Sequence, residues 1–154
     1  MSTPAGIRLA AELQADVRAM APWIERVEVA LADVEPWDED TGLLVAVAMH
    51  HGYGAMEAAL ERIARAMEGL NPSTDRWHQH LLAQMFLPMS GLRPAVLPEE
   101  LRPALRELLG FRHLFRHAYA TPLDLQRLRE LAGHFHRVMP EAARALEAFG
   151  ALLL

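Results

Sequence analysis

The sequence predicts an all-α protein, an up-and-down bundle of about five helices, and three observations carry that expectation. Apolar residues recur at spacings of three and four along most of the chain. No stretch alternates apolar and polar residues as a half-buried strand does. The periodic stretches are cut by clusters of Pro, Gly, Asp and Thr, which leaves mostly short connections between helices.

In the first element Ala10, Leu13, Val17, Met20, Ile24, Val27, Leu31 and Val34 form a coiled-coil-like seam. Its simplest place is the core, and its length also makes it a candidate dimer surface. Pro22 lies inside the seam, which continues past it, so a kink near Met20-Ala21 is expected rather than an end. Asp33 to Asp40 is an acidic turn around Pro36. Asp38 and Asp40 spell Asp-x-Asp, a magnesium-holding pattern of nucleotidyltransferases, but no Gly-Ser strand and turn precedes it. Acids placed at a helix start are the better reading. Leu43 to Met49 is apolar on every side, as expected for the first turns of a central buried helix. From Glu57 to Glu68 the pattern becomes one-sided, with Leu60, Ile63, Ala64 and Met67 inward, until Gly69 and Asn71-Pro72 end it.

Ser73 or Thr74 starts a third helix carrying Trp77, Leu81 and Met85. Pro88 to Leu97 is a loop broken by Gly91 and Pro94, and Pro98 opens a fourth helix through Leu101, Leu105 and Leu108. That helix ends near Tyr119. Thr121-Pro122 reads as an N-cap with proline at the first helical position, and Asp124 completes a capping box. The last helix uses Leu125, Leu128, Leu131 and Phe135, is kinked or split at Pro140, and continues through Ala142, Ala143, Leu146 and Phe149.

A chain of 154 residues is long enough to bury a real core as one domain, 1–154. It has no cysteine, which excludes disulfides and thiolate metal sites. Met1 to Gly6 has no basic region, and Arg8 and Glu12 interrupt any apolar run, so no signal peptide is expected. The longest near-continuous apolar run, Leu43 to Met49, is too short to cross a bilayer. A soluble cytoplasmic protein without membrane contact is the expectation.

The net charge is −5, and it is unevenly spread. Residues 1–90 hold 6 arginines against 13 acids, while residues 91–154 hold 9 against 7. Overall acidity argues against nucleic-acid binding. A local patch of Arg102, Arg106, Arg112 and Arg116 can nevertheless hold a phosphate backbone; the plainer reading is a solvated face paired with Glu99, Glu100 and Glu107.

Chemistry concentrates in Phe111-Arg112-His113-Leu114-Phe115-Arg116-His117-Ala118-Tyr119, where Arg, His and Tyr meet at a helix end beside a stop signal. The spelling Arg-x4-His-x-Tyr resembles the signature of the HEPN superfamily, and more narrowly that of HepT-type ribonuclease toxins. The block from His51-Gly52-Tyr53 through Glu57, Glu61-Arg62-Ile63-Ala64, Arg76-Trp77-His78 and Leu81-Leu82 is similar to the HepT-like branch as well. The resemblance covers roughly residues 45 to 150. It implies a HEPN-like bundle working as a homodimer, with two Arg-x4-His motifs lining one cleft. It implies Arg112 and His117 as the catalytic pair of a metal-independent RNA endonuclease, the toxin of a toxin–antitoxin pair. Its cognate partner would be an MNT-type nucleotidyltransferase antitoxin that attaches AMP to Tyr119 and silences the site. Arg116 and His113 would be phosphate contacts. The chain departs from common members at His113, where they often have Asn, and at Ala120.

The residue chemistry suits that role. RNA supplies its own nucleophile, the 2′-hydroxyl, imidazole titrates near working pH, and a guanidinium grips phosphate in a fork. Arg112 and His117 are five residues apart, roughly 140° around a helix, so groups from two chains would have to converge. The plainer alternative makes Arg112 a surface salt-bridge residue, His117 a C-cap and Tyr119 a packing residue. On it the protein is a non-catalytic helical partner of a separate nucleotidyltransferase. A third reading, a histidine–metal bundle, rests on eight histidines with pairs at His50-His51, His78/His80, His113/His117 and His134/His136. Glu-x-x-His, the usual helical metal spacing, occurs nowhere, so no metal and no other cofactor is expected.

Overall fold

The computed structural model describes residues 2–70, 76–117 and 123–154, and of residues 113–117 the helical backbone only. Five α-helices make up the described chain: α1 (Pro4–Ala32), α2 (Glu39–Glu68), α3 (Trp77–Met85), α4 (Arg102–His117) and α5 (Leu125–Leu152). A single 3₁₀ turn, Glu99–Leu101, leads into α4, and an isolated bridge between Met89 and Arg93 is the only extended pairing among the described residues. This is the all-α bundle the periodicity predicts. None of these helices is long and apolar enough to cross a membrane.

Long helices α1, α2 and α5 pack on one another, α3 lies against α2 and α4, and α4 packs on both α5 and α2. The seam of α1 is spent inside this chain: Leu13, Met20 and Val27 are fully buried. The expected dimer surface on that seam is therefore not available, and Val34, its last member, falls beyond α1 and is exposed. Pro22 and Pro140 interrupt neither helix, each lying within an unbroken element. Proline removes one ladder donor, and Met20 and Met139 nearby are fully buried.

The centre of the bundle is α2, whose residues from Val45 to Ala64 are buried on most sides. Its first turn departs from the expected all-round burial, because Leu43 and Leu44 are exposed. At that end the inward position belongs to Gly42, where an added Cβ would lie 2.3 Å from Leu125 Cδ2 of α5, so its neighbours in sequence point away. Asp38 caps α2 by accepting from the Thr41 N–H at 2.8 Å, which holds its carboxyl below the usual range, and Glu39 and Asp40 occupy the first turn. At the other end Gly69, at φ 66°, terminates the helix in the left-handed conformation, with the Leu70 N–H reaching back to the Ala64 carbonyl.

Two helix starts differ from the sequence expectation. The third helix begins at Trp77 after Arg76, and Ser73 and Thr74 lie outside the described residues. The last helix begins at Leu125, capped by Asp124 accepting from the Arg127 N–H at 3.1 Å. Asp124 is thus the cap itself and not the third residue of a box opened at Thr121. A side-chain acceptor in extended backbone satisfies the free N–H of the first turn wherever the core first lets the helix form, and here that is where Leu128 and Leu131 reach the core.

Candidate functional site

Tyr53 and Glu57 are one turn apart on α2, on the side that faces α3 and α4. Glu57 is a charged residue inside a stripe of Tyr53, Met56, Leu60 and Ile63, and it is 7% exposed. Burial of a carboxylate at that level requires partners. It has two. Its Oε1 accepts from Nη1 of Arg112, near the C-terminal end of α4, and its Oε2 is 2.9 Å from Nδ1 of His78, in the first turn of α3. The Arg112 guanidinium also stands 5.9 Å from the Tyr53 ring centroid, within cation–π range. One carboxylate therefore ties together three helices.

The electrostatics follow from this geometry. Burial raises the Tyr53 phenol far above its ordinary range, the neighbouring Glu57 carboxylate adds to the rise, and Arg112 opposes it. Tyr53 is thus a neutral aromatic wall. Arg112 uses Nη1 on Glu57, and a guanidinium has further N–H groups to present to a second anion. Fixing one edge by a buried carboxylate removes rotamer freedom that a ligand would otherwise have to remove.

Among the expected site residues, Arg112 is in this network. Both Arg112 and His117 belong to α4, and His117 is the last of its residues that the structure describes. His113 and Arg116 stand on the same helix with side chains that are not described, and Tyr119 lies outside the described residues. The expected basic patch divides. Arg112 turns inward to Glu57, while Arg102 and Arg106 line a cleft of about 800 Å³ between α3 and α4. Arg102 also forms a two-pronged pair with Glu99, at 2.7 and 3.0 Å, and Glu107 is engaged by His134 at 2.9 Å instead of by the patch.

From the sequence Glu57 has no role, and His78 enters only as half of a candidate metal-binding pair with His80. Their partnership spans 21 residues, and that of Glu57 with Arg112 spans 55, so no local pattern announces it. The available signal was the acid at position 57 on an otherwise inward apolar stripe. Among the described residues no three of His, Asp and Glu come together in a metal-ligand group. His78 and His134 each face a single glutamate.

No curated protein and no solved structure matches the chain. A family model described as HepT-like protein matches residues 44–153, the stretch that runs from the second turn of α2 to the end of α5 and contains Tyr53, Glu57, His78, Arg112 and His117. That match covers most of the sequence and the whole of the polar network, and the chain belongs to the HepT-like family.

Proposed function

We propose that this protein is a metal-independent RNA endonuclease, the toxin of a toxin–antitoxin pair, acting through Arg112 and His117 at the end of α4. The observation that carries the reading is the Arg-x4-His-x-Tyr spelling on a HepT-like chain, with its arginine anchored by a buried carboxylate. In the proposed reaction a neutral imidazole of His117 takes the proton of the RNA 2′-hydroxyl. That oxygen attacks the adjacent phosphorus, the bond from phosphorus to the 5′-oxygen breaks, and an imidazolium protonates the departing oxygen. The products are a 2′,3′-cyclic phosphate and a 5′-hydroxyl. Arg112 stabilises charge growing on the phosphate oxygens, and its fixed orientation means little reorganisation is needed as that charge develops. His113 and Arg116 hold neighbouring phosphates. Two copies supply the facing motifs, and an MNT-type nucleotidyltransferase silences the site by transferring AMP from ATP to the Tyr119 hydroxyl, with pyrophosphate as the leaving group.

The test is an assay of wild type, His117→Ala and Arg112→Lys on mixed RNA, with melting curves in parallel. His117→Ala should lose about two orders of magnitude or more in cleavage. Arg112→Lys should lose most activity, since an ammonium cannot reproduce a fork. Unchanged cleavage by His117→Ala would place the chemistry elsewhere.

A second reading is favoured by one observation: Arg112 already has an anionic partner, as a purely structural arginine would. On that reading the chain is a non-catalytic helical partner of a separate nucleotidyltransferase. It expects no cleavage by any form and a lowered melting temperature in the Arg112 variant.

A further inference from the structure

We propose that the cleft between α3 and α4 is a phosphate-backbone subsite that leads a single RNA strand toward Arg112; this extends the nuclease reading and rests on it. The cleft is about 800 Å³ and is lined by Arg76, His78, His80, Arg102 and Arg106, with no acidic side chain among its described lining residues. Such a lining is unexpected in a chain of net charge −5, because randomly placed acids would neutralise it. Glu99 holds two N–H groups of Arg102 from the rim, while Arg76 and Arg106 have no carboxylate partner among the described residues. Phe86 lies beneath Arg102, 4.6 Å from guanidinium carbon to ring centroid, and steadies it from below.

His78 joins this cleft to the other site. It is one of the lining residues of the cleft, and its Nδ1 lies 2.9 Å from Oε2 of Glu57, whose other oxygen holds Arg112. A strand crossing the arginines is thereby delivered to the helix end that carries the motif. Spacing between cations, not base shape, governs such a contact, so the subsite takes RNA by its phosphodiesters and without preference for sequence. Arginine suits the task, since its planar fork spans two phosphate oxygens.

The experiment measures binding apart from cleavage. A fluorescein-labelled 2′-O-methyl oligouridylate, which lacks the nucleophile, is titrated with full-length protein across a range of salt. Arg76→Gln/Arg106→Gln is compared with Arg8→Gln/Arg18→Gln, which removes the same charge from exposed positions on α1. Loss of two phosphate contacts should weaken binding about tenfold near physiological salt and lower the logarithmic salt slope by about 1.4. The α1 control should bind like wild type. Equal losses in both variants, or no loss in either, would overturn the subsite. Competition by AMP as effective as that by unlabelled oligouridylate would overturn the strand-binding assignment in favour of a mononucleotide pocket. Cleavage of unmodified RNA is measured separately. Its absence alongside the expected binding pattern would remove the nuclease reading and leave the subsite standing, whereas normal cleavage with unchanged binding would do the reverse.

Discussion

Glu57 and Tyr53 show how much of this site depends on single buried atoms. The carboxylate is tolerated in the core because both of its oxygens are used, one by Arg112 and one by His78. Tyr53 beside it is 2% exposed, and its phenol is raised well above the ordinary value of 10.0 by burial and by Glu57. The raised value has a consequence for stability. The folded chain keeps the phenolic proton where the unfolded chain releases it, so this contribution is complete below pH 10 and is lost as pH rises beyond it. The slope from this group alone should approach about 1.4 kcal/mol per pH unit above pH 10. The sequence makes the measurement clean, because it contains neither lysine nor cysteine and only 2 tyrosines. Urea unfolding between about pH 9 and pH 11 should show the decline in wild type and a much flatter profile in Tyr53→Phe. Parallel profiles would mean that the Tyr53 hydroxyl already reaches solvent in the folded state.

At the level of elements, the short helix α3 is the one whose position most needs explanation. Nine residues form too short a helix to hold themselves in place. The loop that follows is folded back by Arg93, whose side chain is fully buried and makes a 2.6 Å bond to Glu68 of α2. The same guanidinium donates to the carbonyls of Leu87, Pro94 and Gln84 at 2.9 to 3.2 Å. The Met85 carbonyl accepts from the N–H groups of Val96 and Leu97, closing the loop onto the end of α3. Because α3 presents His78 to Glu57, this buried pair indirectly sets the geometry of the site. Arg93→Met would leave Glu68 charged with 3% of its side chain exposed, and should cost about 3–5 kcal/mol in urea unfolding. A loss under about 1 kcal/mol would show that packing of Val96 and Leu97 alone holds the loop. The sequence marked this segment only as a loop broken by Gly91 and Pro94. Arginine in a loop reads as a solvated residue, and nothing local reveals that its partner lies 25 positions earlier.

For the whole molecule, the helix count and core were legible because burial in a bundle repeats with the helical period. Leu13, Met20, Leu60, Ile63, Leu105 and Phe135 were all expected inward, and all are buried. Helix starts were less legible, since a cap needs only one side-chain acceptor and the sequence near Thr121 and Asp124 offers two. The candidate site was legible only as a proposal. Arg112 and His117 stand out as a motif, whereas Glu57 and His78 become partners only once α2, α3 and α4 are assembled. That assembly also bears on the oligomeric state. Arg112 and His117 are separated by roughly 140° on α4, and Arg112 is directed into its own bundle toward α2. One copy therefore cannot readily aim both positions at a single phosphate. A symmetric pair of α4 ends can, with the arginine of one copy and the histidine of the other flanking the same strand, and isologous contacts are the commonest way for identical chains to meet. The seam of α1 cannot supply that contact, because Leu13, Met20 and Val27 are enclosed by their own chain. Light scattering at micromolar concentration should give twice the chain mass, and mixing inactive Arg112→Lys with inactive His117→Ala should restore cleavage to about a quarter of wild type if subunits exchange freely and each shared site needs one intact residue from each copy. A monomer mass under conditions where RNA is cleaved would remove the shared-cleft mechanism and require both groups to act from a single α4.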